Sequence, residues 1–197
     1  MIVRLARADD APRLAELHAT RMTEGFLSEL GPRFLRILYR RIVASSDAFA
    51  FVVEEPLDGA VTVVGFAAGA LDVGALYRRF VLRDGVIAGI AATPRLVGSW
   101  RRVLETLRYP GSTGDLPDAE ILSVAVDPRV TGRGVGTQVV DAATSEFHRR
   151  GVAAAKVVTG ADNVAALALY TRCGFVRREQ IAVHEGTSSE VLVWSSS

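Results

Sequence analysis

The sequence holds one cysteine, Cys173, in 197 residues. A single thiol excludes an intrachain disulfide framework and a thiolate zinc cluster. The three histidines (His18, His148, His184) stand far apart and form no metal-ligand pattern, so no metal site is expected. Charge of one sign is missing as well: 23 Lys and Arg face 22 Asp and Glu, a formal charge of +1. Such a balance offers no general attraction for nucleic acid or an anionic membrane. The arginine pairs at 40–41, 78–79, 101–102 and 149–150 read as solvated helix faces. Apolar runs are too short to span a bilayer, and Met1-Ile2-Val3-Arg4-Leu5 lacks the basic-then-apolar layout of a secretory leader. These absences predict a cytoplasmic protein with neither nucleic acid nor membrane as partner.

Apolar residues make up 49% of the chain, enough to bury a sizeable core. The length favours one domain over two. A mean hydropathy of +0.25 leaves room for a homodimer interface.

Residues 2–7 read as a strand, and Asp9 or Asp10 as the cap of a helix to about Met22. Gly31-Pro32 opens a second helix through about Val43, with Phe34, Leu35, Leu38 and Ile42 in one stripe. Phe49–Glu54 and Val61–Leu71 read as strands. Residues 72–118 are less regular and read as a helical insertion, with short helices at 74–82, 86–92 and 95–107. From 119 the pattern sharpens. Ala119–Val126 is a strand, 127–136 a Gly-rich loop, and Thr137–Arg150 a helix ended by Gly151. Val152–Val158 is a strand and Val164–Arg172 a helix closed by Gly174. Phe175–His184 and Ser189–Trp194 form a closing hairpin.

The loop runs Val126-Asp127-Pro128-Arg129-Val130-Thr131-Gly132-Arg133-Gly134-Val135-Gly136, between a strand and a helix. Glycines let the backbone take positive φ and turn several N–H groups toward one point. The next helix aims its N-terminus there too, with unpaired donors and about half a positive charge. The combination suits a pyrophosphate. A dinucleotide loop needs G-x-G-x-x-G, and a nucleoside-triphosphate loop needs Lys then Ser or Thr after its last Gly. Here the spacing is G-x-G-x-G, and Gly136 is followed by Thr137-Gln138. A purely structural Gly-rich turn remains the other reading of the loop.

This strand, loop and helix resemble the coenzyme A-binding core of the GNAT superfamily of N-acetyltransferases. The family's Q/R-x-x-G-x-G/A falls on Thr131-Gly132-Arg133-Gly134-Val135-Gly136, with Thr131 departing from the first position. A second register, Arg129-x-x-Gly132-x-Gly134, satisfies the formula. Downstream, Asn163, Ala166, Leu169-Tyr170 and Gly174-Phe175 are similar to the family's N-x-x-A-x-x-L-Y-x-x-x-G-F segment. The clear resemblance covers roughly 119–175.

The resemblance implies an α/β fold: a single mixed, mostly antiparallel sheet, helices on both faces, and a splayed central strand pair. It implies transfer of an acetyl group from acetyl-CoA to a primary amine by direct attack on the thioester. Main-chain groups near Val124 and Val126 would take the pantetheine arm, and the turn from Thr131 through Gly132, Arg133, Gly134, Val135 and Gly136 to Thr137 would take the diphosphate. Asn163 either contacts the cofactor or caps its helix.

Amide formation needs a neutral amine, and neutralising a lysine-like amine near neutral pH costs about 4 kcal/mol. Glu120 is the candidate base, since the family's histone-acetylating branch carries a Glu at the matching strand position. Its other reading is an exposed strand-end carboxylate. Tyr170 is the candidate general acid for the leaving thiolate; its other reading is a core tyrosine. Cys173 reads as a plain buried thiol and His18 as a satisfied, partly buried histidine. The acceptor is expected to be a small-molecule amine, with 24–30, 77–80 and 86–118 walling its pocket. Alternatives are a protein lysine or N-terminus, or acyl-CoA binding without catalysis.

Overall fold

The computed structural model describes residues 1–22, 31–76, 78–79, 116–184 and 187–196. The expected helices over 86–92 and 95–107, and most of the pocket walls, lie outside the described residues.

Seven strands form one sheet: β1 (Ile2–Leu5), β2 (Ala48–Leu57), β3 (Ala60–Ala70), β4 (Glu120–Val126), β5 (Ala154–Gly160), β6 (Val176–His184) and β7 (Thr187–Ser195). Their order is β1-β2-β3-β4-β5-β7-β6. Only β4 and β5 run parallel; every other neighbouring pair is antiparallel. The α-helices among the described residues include α1 (Ala11–Arg21), α2 (Gly31–Ala44), α3 (Val135–Arg149) and α4 (Val164–Arg172). The mixed, mostly antiparallel sheet expected from the resemblance is the sheet observed.

The sheet separates two apolar layers. Leu14 and Leu17 of α1 and Phe34, Leu35, Leu38 and Ile42 of α2 cover one face, against Ala50, Val52, Phe66 and Ala68. Their spacing of three and four puts each set on one side of its helix. On the other face Val135, Val139, Val140, Ala143 and Phe147 of α3 pack with Leu167 and Tyr170 of α4 over Val53, Val64, Ala67 and Val157.

Several element bounds differ from the sequence expectation; at β1, at the start of α1 and at the start of α3 the local reason is plain. The first strand ends at Leu5 rather than residue 7, because residues 8–10 close a 3-10 turn in which Arg7 N donates to Asp10 Oδ2 at 2.6 Å. Asp10 thus caps this turn and not α1, which has no side-chain cap. Helix α3 starts at Val135, two residues before Thr137. Gly134 takes φ +81 as its N-cap, so Gly136 lies inside the first turn. There its missing side chain serves packing, since a Cβ would stand 3.2 Å from Leu169 Cδ2 of α4.

Candidate active site

The parallel β4–β5 ladder is short. It pairs Glu120 with Lys156 and Ile121 with Val157, and then stops, although both strands continue. The strands fork from that point. The β3–β4 register shifts at the same place, leaving Leu122 as a bulge between Ser123, opposite Ala68, and Ile121, opposite Gly69. The bulge changes the phase of the strand. Ala119, Ile121, Val124 and Val126 all pack toward α3 and α4, whereas Leu122 and Ala125 pack toward α1 and α2.

Side-chain direction and main-chain direction alternate together along a strand. Ala119 O accepts from Lys156 N at 2.9 Å, so residues of its phase turn their N–H and C=O toward β5. Val124 and Val126 share that phase and point the same way, at the level where the ladder has ended. The side chains of both are partly buried and pack against the α3/α4 layer.

At the far end of β4 lies the Gly-rich turn. Gly132 and Gly134 both take φ +81, and nothing lies within 4 Å of where their Cβ atoms would be. Arg133 N reaches back to Val130 O and Thr131 N to Pro128 O. The N–H groups of Gly132, Gly134, Val135, Gly136 and Thr137 donate to no acceptor among the described residues. Residues 131–134 are exposed. Open room beside positive-φ glycines and free donors at a helix head fit a diphosphate.

Charged side chains fix this turn. Asp127 Oδ1 accepts from Arg129 N at 3.0 Å and Asp127 Oδ2 from Arg13 Nη2 of α1 at 2.6 Å. The hydrogen-bonded Arg129 guanidinium, seconded by Arg13, holds the Asp127 carboxyl well below the usual range. Arg129 also reaches Asp58 at 2.7 Å. Arg133 donates to Glu55 of β2. The sequence does not single out Asp127, Arg13 or Glu55.

Glu120 sits where the fork opens, about 20 Å along β4 from Val126 at the usual rise per residue. Its register partner Ala70 belongs to the α1/α2 layer, which places the Glu120 side chain on that face. Lys156 Nζ lies 3.6 Å from Glu120 Oε2. Burial pushes the Glu120 carboxyl up, and the nearby ammonium opposes it. Lys156 is a partner no local motif could announce, because parallel pairing joins segments separated by a crossover helix.

Tyr170 lies on the opposite face, 6% exposed, its ring 5.6 Å from that of Phe175. Burial first, and Cys173 second, raise its phenol above the ordinary value, so it keeps its proton at neutral pH. Its hydroxyl bonds to none of the described residues and is not among the sealed polar atoms. Burial, then Asp141, push the Cys173 thiol up to about 12, which fits an inert thiol rather than a nucleophile. Asn163 Oδ1 accepts from Ala166 N at 3.1 Å and so caps α4. Glu120 and Tyr170 therefore stand on opposite faces of the sheet, and the fork is the opening between those faces.

The profile of the Acetyltransferase (GNAT) family matches residues 11–175. The chain belongs to this family. A mycothiol acetyltransferase of Catenulispora acidiphila is 31% identical over 86 residues, covering 44% of this chain and 26% of that one. A [ribosomal protein bS18]-alanine N-acetyltransferase of Escherichia coli K12 is 30% identical over 82 residues, covering 40% of this chain and 55% of that one. The matches thus span about a quarter and about half of those two relatives. Among solved structures, SsHAT superimposes with a TM-score of 0.72 at 23% identity, over 98% of this chain and 97% of that one.

Within this family the chain carries glycines at 132, 134 and 136 and departs from the family formula at Thr131. That residue is exposed and ends the 3-10 turn at Pro128–Val130. Its short hydroxyl replaces a long Gln or Arg side chain, and the main-chain donors are unaffected. Among the described residues, no helix is long and apolar enough to cross a membrane.

Proposed function

We propose that this protein is an acetyl-CoA-dependent N-acetyltransferase acting on a primary amine of a small molecule such as an amino acid or amino sugar. The fork in the sheet carries this reading. It sets outward-facing main-chain groups of Val124 and Val126 between a free-donor turn at one end and a carboxylate at the other. Acetyl-CoA, when bound, supplies a thioester that an amine can attack.

Gly132, Gly134, Val135, Gly136 and Thr137 would hold the diphosphate through their N–H groups, with Arg133 and Thr131 at the rim. Each hydrogen bond to a charged group is worth about 1.5–3 kcal/mol. The Val124 and Val126 groups would hold the arm and polarise the carbonyl. Glu120, whose carboxyl burial pushes up and the Lys156 ammonium opposes, takes the proton of the incoming ammonium when ionised. Tyr170 Oη holds its proton across the neutral range and so acts as a donor to the departing sulfur. Asn163, its Oδ1 engaged at the helix cap, has its Nδ2 left for the cofactor.

A second reading, acetylation of a protein N-terminus, is favoured by the relative named for alanine acetylation of ribosomal protein bS18. The test is free-thiol release from acetyl-CoA with a panel of small amines and N-terminal peptides, beside a thermal-shift measurement. Ligand at about 100 times its Kd adds roughly 2.7 kcal/mol of stability. Turnover with small amines supports the first reading, and turnover with peptides alone replaces it with the second. Stabilisation without thiol release would leave an acyl-CoA-binding protein. Tyr170→Phe is expected to lower kcat by roughly 100-fold while acetyl-CoA still stabilises the protein; unchanged kcat would remove Tyr170 from the chemistry.

A further inference from the structure

Beyond Ile121, β4 has lost its ladder to β5 and keeps hydrogen bonds along one edge only, to β3. The α1/α2 face supplies a polar contact at each end of this half-supported stretch. At the exit, Asp127 takes Arg13 of α1. At the entry, Ser123 Oγ lies 2.9 Å from Tyr39 Oη of α2, and Tyr39 Oη lies 2.6 Å from His18 Nδ1 of α1. His18 and Tyr39 are each 1% exposed and Ser123 is 5% exposed. Three linked polar side chains thus cross a layer otherwise made of Leu, Phe, Ile, Val and Ala.

Buried polar groups cost free energy unless they are paired, and a fully satisfied chain fixes one arrangement among several. This chain ends on the residue that follows the bulge, where the phase of β4 is decided. If the bulge were lost, the β3–β4 register beyond it would shift by one residue, so every side chain there would change face and every N–H would change edge. The Val124 and Val126 groups would then turn away from the fork.

We propose that the His18–Tyr39–Ser123 chain is a positioning device for acyl transfer: by fixing Ser123 it sets the phase of β4 and aims the main chain of Val124 and Val126 into the fork. The inference rests on the acetyltransferase reading above. His18 and Tyr39 act through Ser123 and touch no reacting atom. The glycine turn lies beyond the Asp127 clamp, so diphosphate binding is separate from this device.

The full chain is compared with Ser123→Ala, Tyr39→Phe and the double variant. Three quantities are read: amide exchange at 122–126 without ligand, the Kd for acetyl-CoA, and kcat. Each single variant is expected to speed exchange at 122–126 and to lower kcat roughly 10- to 100-fold, while Kd weakens by less than about tenfold, because the arm contacts of Val124 and Val126 loosen and the diphosphate turn is untouched. The double variant is expected to match the worse single one, because one bond joins the two sites. Unchanged kcat with a lowered melting temperature would reduce the chain to core packing and overturn the inference. Additive losses in the double variant would overturn it too, as would unaltered exchange in Ser123→Ala should Tyr39→Phe not fold. A parent protein that does not bind acetyl-CoA would refute the acetyltransferase reading instead, and exchange in the unliganded variants would still report whether the chain holds the bulge.

Discussion

Gly65 of β3 and Val135 at the head of α3 touch so closely that a Cβ on the glycine would lie 2.5 Å from Val135 Cγ1. The absent side chain lets the helix N-terminus sit directly beside the end of β4. Gly65→Ala must therefore push α3 away or strain β3. It is expected to lose about 1–3 kcal/mol in chemical denaturation and to weaken acetyl-CoA binding in the same protein. Full stability in the variant would show that the helix head has slack there.

Gly134 needs its left-handed backbone, but the space around it is open. Gly134→Ala should cost roughly 1–2 kcal/mol of stability from the backbone alone and keep part of its stabilisation by acetyl-CoA. Gly134→Asp adds a carboxylate against the diphosphate and should lose most of that stabilisation. Equal ligand-induced shifts in Gly134→Asp and the parent would refute the assignment of this turn.

Glu120 must be ionised to take a proton, so kcat/KM should rise with pH through its pKa. Burial moves that acid limb upward, and Lys156 moves it back down. Lys156→Met should therefore shift the limb to higher pH, and Glu120→Gln should lower kcat/KM at neutral pH by about 100-fold or more. A pH profile indifferent to both changes would transfer the role of base to water.

His18 is buried, and burial lowers its pKa from 6.5 to about 4. Between those values the unfolded chain binds a proton that the folded chain does not. Stability thus falls as pH falls through this window, by about 3 kcal/mol in all. His18→Gln removes the titration and should flatten that part of the curve. An identical pH dependence in the variant would mean that other groups set it.

The periodic and punctuated parts of the fold were legible in the sequence. The stripe from Phe34 to Ile42 gave α2, and Asn163 and Gly174 bracketed α4. The Gly132 and Gly134 turn was visible because positive φ selects glycine. Gly136 misled, because a glycine kept for contact with Leu169 looks in sequence like one kept for a loop. Contacts between distant segments left no trace: Glu120 with Lys156, Arg133 with Glu55, and the His18, Tyr39 and Ser123 chain. Each depends on strand register or on two helices crossing the sheet at set places, and local pattern does not encode either.

Two residue pairs are all that join β1–β4 to β5–β7 through the ladder. Mechanically, then, the sheet is two panels meeting at a narrow seam. Helix α3 touches β1, β2, β3 and β4 on one side of that seam and β5 on the other. It works as a tie beam across the joint. Damage to its buried face would let the panels swing apart before either one unravelled.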